Sequence, residues 1–103
     1  MITFFRTGAV APGKTHEAMT FAHQVAKMVE AKVGIKVNLM RPVGGNPSRI
    51  GWVASYDNLA AFESVSMKLL SDADYMKLTE SNTPYFLPGS WHDELWASVP
   101  PAA

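Results

Sequence analysis

Cysteine is absent from this 103-residue chain. Its absence excludes disulfides, thiolate metal ligands, iron–sulfur clusters and cysteine nucleophiles together, and it fits a reducing, cytoplasmic setting. Net charge is absent too, because nine basic residues balance nine acidic ones. The basic footprint that nucleic-acid binding requires is therefore missing. A neutral surface also gives little electrostatic protection against self-association. No apolar run approaches the roughly 18–20 residues of a membrane span. The opening residues, MITFFRTGAV, lack the basic start and long apolar stretch of a signal peptide. Histidine is scarce, with three copies, and none has H-x-x-x-H or H-E-x-x-H spacing. His16 and His23 stand two helical turns apart, roughly 10 Å by helix rise, so no metal site is expected. Repeats, low-complexity tracts and linkers are also missing. These exclusions leave one soluble globular domain over residues 1–99, with a short frayed tail at 100–103.

The chain has ample apolar residues, at 48%, and their spacing defines the elements. Residues 2–10 (ITFFRTGAV) are β-branched and aromatic and read as a strand. Ala11-Pro12-Gly13 breaks it, and Thr15 is placed to cap a helix over about 16–32. In that helix Ala18, Ala22, Val25, Val29 and Val33 recur at three- and four-residue steps. Gly34 is a natural stop. IKVNLMRPV (35–43) and SRIGWVASY (48–56) read as two strands of a hairpin turned by GGNP, with Leu39 opposite Trp52. Asp57 or Asn58 can cap a second helix with Leu59, Phe62, Val65 and Leu69 inward. Ser71-Asp72 interrupts it and can cap a further short helix to about Thr79. After a loop bearing Pro84, Pro88 and Gly89, SWHDELWASV (90–99) is a last strand. The order β-α-β-β-α-β predicts an α+β, ferredoxin-like fold: a four-stranded antiparallel sheet with its helices on one face.

One motif competes with this fold. GAVAPGKT (8–15) fits the phosphate-loop pattern G-x-x-x-x-G-K-[ST] at every fixed position. Such a loop surrounds phosphates with consecutive backbone N–H groups, and Pro12 has none to give. The pattern also belongs to parallel sheets, whereas a 35–56 hairpin is antiparallel. GAVAPGKT is therefore read as a turn followed by a helix start.

Pro12, Gly13, Lys14 and Glu17 after the first strand, WVASYDNLAAFE (52–63) and LLSDADYMKL (69–78) together resemble the dimeric α/β-barrel superfamily. That superfamily includes the antibiotic-biosynthesis monooxygenase-like and NIPSNAP-like domains. The resemblance spans nearly the whole chain. It implies a homodimer whose two sheets pack face to face, with a cleft for a small organic molecule. It also implies cofactor-independent oxygenation as one activity, haem binding as another, and a non-catalytic binding or interaction domain as the alternative. The oxygenases use asparagine, tryptophan and histidine around the cleft, types that Asn38, Trp52, Trp96 and His92 supply.

The residues themselves add a candidate pair. Alternation puts His92, Glu94, Trp96 and Ser98 on one face of the last strand. His92 could exchange protons with Glu94 orienting its ring, or the pair could be solvated or a dimer contact. Asn38 could position a substrate or sit at the dimer interface. Phe5, Met40, Trp52, Tyr85 and Trp96 are candidate ligand contacts, with Trp91, Tyr75 and Phe86 as further pocket aromatics. The segment 82–90 is a candidate lid. The apolar residues Phe5, Met40, Val53 and Trp96 fall on a face that the helices cannot reach, which is the sequence's own argument for a second copy.

Overall fold

In the computed structural model, which describes residues 1–82 and 84–102, ITFFRTGA forms the strand β1 (Ile2–Ala9). The remaining elements are α1 (Thr15–Val33), β2 (Asn38–Met40), β3 (Arg49–Tyr56), α2 (Leu59–Leu70), α3 (Ala73–Glu80) and β4 (His92–Ala97). The sheet order is β2-β3-β1-β4, with each neighbouring pair antiparallel. This is the ferredoxin-like α+β arrangement expected, with three helices.

Strand alternation gives the sheet two unlike faces. Ile2, Ile50, Trp52, Ala54 and Tyr56 turn toward the helices and are buried. There they meet the α1 stripe Ala18, Phe21, Ala22, Val25 and Val29, all buried, together with Leu69 from α2. Trp52 fastens the two layers, because its indole N–H donates to the Ala22 carbonyl at 3.2 Å within the core. The opposite face carries Thr3, Phe5, Thr7, Asn38, Met40, Val53, His92, Glu94 and Trp96, with no helix over it.

The expected register Leu39↔Trp52 is present. The ladder of β2 is nevertheless much shorter than 35–43, and the connection runs from Arg41 to Ser48. Pro42 has no N–H for a ladder bond, and the chain leaves α1 through Gly34 in the left-handed conformation (φ 71°). Ile35 and Val37 still pack against the core outside the ladder. β4 is likewise shorter than 90–99. At its start the Ser90 hydroxyl, rather than a backbone group, accepts from the Ala9 N–H at 3.1 Å.

Helix starts follow capping chemistry with one exception. Asn58 accepts from the Ala61 N–H at 2.8 Å, and Asp72 accepts from the Tyr75 N–H at 2.9 Å. Thr15, expected as a cap, is instead the first helical residue. The Pro12-Gly13 turn brings the Lys14 N–H onto the Ala11 carbonyl at 3.1 Å, and the Lys14 carbonyl accepts the first helical bond from Ala18 at 2.8 Å. Lys14 therefore occupies the cap position, without a side-chain cap bond.

The same turn settles GAVAPGKT. The N–H groups of Val10, Ala11 and Lys14 donate to the carbonyls of Ser48, Tyr85 and Ala11 respectively. With Pro12 lacking a donor, that turn has too few free N–H groups to surround a phosphate, and the strands beside it are antiparallel.

Candidate functional site

Between the helix-facing side of the sheet and helices α1 and α3 lies a cleft of about 450 Å³. Its apolar walls come from Phe4, Trp52 and Ala54 on the sheet, Phe21, Val25 and Val29 on α1, and Leu69 on α2. Trp91, just before β4, completes the aromatic wall. Its ring lies 5.7 Å from Trp52 and 4.8 Å from Phe86. Gly8 makes room for it: a Cβ at that position would stand 2.7 Å from Trp91 Cζ3. A side chain of any size on that residue would displace the indole.

The polar groups of the cleft are few. Arg6 on β1 and Asp93 on β4 are directly paired across the ladder. They form a two-pronged ion pair, Nε to Oδ1 at 2.7 Å and Nη2 to Oδ2 at 2.8 Å. Both side chains are about half exposed. Asp93 holds the guanidinium pKa above its ordinary value, chiefly through these bonds, and Tyr75 adds to the effect. The guanidinium carbon also lies 5.3 Å from the centre of the Phe4 ring. Burial, and secondarily Tyr75, raises the pKa of the Tyr56 phenol, so this hydroxyl stays protonated at neutral pH. Tyr75 and Thr79 project from α3, and Asn82 follows it. Such a set of walls and convergent donors is typical of small-molecule pockets.

Sequence reasoning pointed to Trp52, Trp91 and Tyr75 as pocket aromatics, and all three line this cleft. It missed Arg6, Asp93, Tyr56 and Asn82. A signal for Arg6 was present: in the inward series Ile2, Phe4, Arg6, Gly8, Val10 it is the lone charge, and an inward charge needs a partner.

The His92–Glu94 pair forms, but on the opposite face. His92 Nε2 lies 2.9 Å from Glu94 Oε2, and the Trp96 indole donates to Glu94 Oε1 at 2.8 Å. Those bonds, the one from Trp96 foremost, hold the Glu94 carboxyl below its usual range. With Phe5, Thr7 and Arg49 these three residues line a second depression, of about 380 Å³. Asn38 shares that face, but β2 and β4 are the two edges of the sheet, separated by β3 and β1. The register sets Asn38 level with Glu94, about 14 Å away at nearly 5 Å per strand, and His92, two residues further along, is about 16 Å away. Met40 stands exposed beside Asn38 on the same face. Tyr85 lies against Phe21, with ring centres 6.1 Å apart, and does not line the cleft. The 82–90 segment, in which Thr83 lies outside the described residues, is pinned by Phe86. That residue is buried and bridges Val10, and Leu87 donates to the Ala9 carbonyl at 2.9 Å. His16 and His23 are exposed on α1.

No family model matches the sequence, and no curated protein matches it. The structure does have close counterparts. An uncharacterised NIPSNAP domain protein from Burkholderia xenovorans superposes with a TM-score of 0.81 at 14% identity, over 96% of this chain and 95% of that one. A NIPSNAP family protein from Agrobacterium tumefaciens gives 0.78 at 14% identity, over 95% and 85%. A putative antibiotic biosynthesis monooxygenase from Nitrosomonas europaea gives 0.72 at 10% identity, over 96% and 99%. At such identities the likeness shows the fold and nothing finer.

Proposed function

We propose that this chain, which has the fold of the NIPSNAP-domain and antibiotic biosynthesis monooxygenase-like proteins, binds a small aromatic molecule in its helix–sheet cleft and does so as a homodimer. The cleft carries the proposal: about 450 Å³ of aromatic and aliphatic wall, with an arginine and two phenols at hand. Stacking on Trp52 and Trp91 would hold a flat ring, and the polar groups would fix its orientation. The dimer follows from Phe5, Met40, Val53 and Trp96 on the helix-free face, which a second sheet would cover.

The chemistry that suits this site is cofactor-independent oxygenation of a hydroxylated aromatic. In such a step a ring C–H carbon, present as CH2 in the keto tautomer of the phenol, becomes C=O: one oxygen atom enters the substrate and the other leaves as water. All the electrons come from the substrate's own carbon. Arg6, with N–H groups left over from Asp93, would donate to an oxygen of the substrate and orient its ring. Haem held by His92 or His23 has less support, because neither ring lines the cleft.

A second reading rests on the helix-free face. There the bonded series His92, Glu94, Trp96 sits above a depression with Phe5. If a second sheet encloses that depression, His92 could move a proton and Glu94 could orient it, with Asn38 at the far edge of the sheet and outside its lining. One experiment separates the two. Oxygen uptake is measured with a panel of hydroxylated naphthalenes, alongside quenching of tryptophan fluorescence. The cleft reading expects Thr79→Phe, which narrows the cleft from α3, to abolish both signals and His92→Ala to spare them. The opposite pattern would move the site to the other face, quenching without oxygen uptake would leave a binding protein, and the absence of both signals would leave a non-catalytic interaction domain.

A further inference from the structure

We infer that Asp93 is a specificity-determining residue: by neutralising Arg6 inside the cleft it selects neutral aromatic ligands over aromatic acids of the same shape. This rests on the cleft being the binding site. Among the described residues that line it, Arg6 and Asp93 are the only charged ones, and they are joined two-pronged at 2.7 and 2.8 Å. The other polar lining groups, Tyr56, Tyr75, Thr79 and Asn82, are phenols, a hydroxyl and an amide rather than acids or bases of the Asp, Glu, Lys or Arg kind. The cleft therefore presents zero net charge to its ligand.

A guanidinium with a carboxylate already on its fork is a different receptor from a bare one. A guanidinium has five N–H donors, and Asp93 engages one on Nε and one on Nη2. The remainder can still donate to a carbonyl or hydroxyl oxygen. A ligand carboxylate, however, would have to give up its water and approach Asp93 across the same guanidinium. Desolvating an anion without a free counter-charge is costly, and the like charge of Asp93 adds to the cost. A ketone oxygen suffers neither penalty. Asp93 thus discriminates by repulsion as much as by contact, as specific sites commonly do.

The probes are 2-acetylnaphthalene and 2-naphthoate, two flat molecules of nearly equal size that differ in charge at neutral pH. Binding is followed by quenching of tryptophan fluorescence and by equilibrium dialysis on the full chain. The wild-type protein is expected to bind the ketone about tenfold more tightly than the acid. That is the size appropriate to half-exposed charges that solvent screens. Asp93→Asn keeps the shape, frees the charge of Arg6 and should bring naphthoate level with the ketone or ahead of it. The double variant Arg6→Gln with Asp93→Asn removes both charges and should restore the preference for the ketone. Equal binding of both probes by the wild type, or an Asp93→Asn ratio unchanged from wild type, overturns the proposal while leaving the cleft as a binding site. Failure of both probes to bind at millimolar concentration sinks this proposal and the cleft reading together. The wild-type comparison stands even if the variants do not fold.

Discussion

Single residues in this protein matter most where they leave room. Gly8 is inside β1 on the helix side, where the series Ile2, Phe4, Arg6, Gly8, Val10 would otherwise carry a side chain. The space it leaves is filled by Trp91 and Phe86, whose rings lie 2.7 and 3.1 Å from where a Cβ would stand. Gly51 does the same on the other face, with Phe5 Cε1 at 3.0 Å. Substituting Gly8→Ala is expected to push the Trp91 ring off the cleft wall and destabilise the fold by about 1–3 kcal/mol, as overpacking generally does. Chemical denaturation gives the energy. A change in the near-ultraviolet circular dichroism of the stacked indoles would report the displacement. Unchanged dichroism and stability would mean that the ring accommodates a methyl group, and the wall would not depend on the glycine.

At the scale of elements, α3 is the helix that positions Tyr75 and Thr79 over the cleft, yet it has no buried residue of its own. Tyr75 and Leu78 pack against the core only partly buried, and polar ties add to the docking of the helix. Asp72 caps it by accepting from the Tyr75 N–H, and Lys32 at the end of α1 reaches both Asp72 (3.1 Å) and Asp74 (2.9 Å). The cap bond from Tyr75, with Lys32 behind it, holds the Asp72 carboxyl below its ordinary value of 3.8. The sign follows from linkage. A carboxyl with a depressed folded pKa stabilises the fold at pH above its unfolded value, and that contribution disappears as pH falls through the folded value. Asp72→Asn should therefore lower the melting temperature at pH 7, and the gap to wild type should close as the pH is taken well below 3.8. A gap that stayed constant down to acid pH would show that the charge of Asp72 plays no part. Raising the salt concentration should weaken the Lys32 ties, which are partly exposed, more than the cap bond.

The whole molecule poses the question of what covers the bare side of the sheet. Trp96 is 64% exposed and Met40 49% exposed there, with Phe5 and Val53 between them on the central strands β1 and β3. The sheet has helices on one side only, and these apolar residues on the other are what the proposed homodimer would cover. Val53→Asp sets a charge in the middle of that face without touching the helix side. It should convert a dimer to a monomer in sedimentation velocity, with the circular dichroism of the fold retained. A wild-type chain that sediments as a monomer at micromolar concentration would remove the barrel. The cleft would remain, because it is built within one copy.

Much of this architecture was legible in the chain itself. Residue type and apolar spacing pointed to each strand and helix, Asp57 or Asn58 and Ser71-Asp72 marked two helix starts, of which Asn58 and Asp72 are the caps, and Leu39 opposite Trp52 was the register found. These features are local, and burial of one face enforces them. The site was only partly legible. His92 and Glu94 are two residues apart on one strand, so alternation alone places them together. Arg6 and Asp93 are separated by 87 positions, and nothing in their immediate neighbours says that β1 lies beside β4 with those residues in register. Pairing of that kind is decided only when the sheet assembles, because strand order and register depend on every element packing at once. The sequence by itself grouped the residues of each strand into two faces, because alternation is a local property. The tertiary structure decided which of them meet, and it brought the two inward-facing charges together in the cleft.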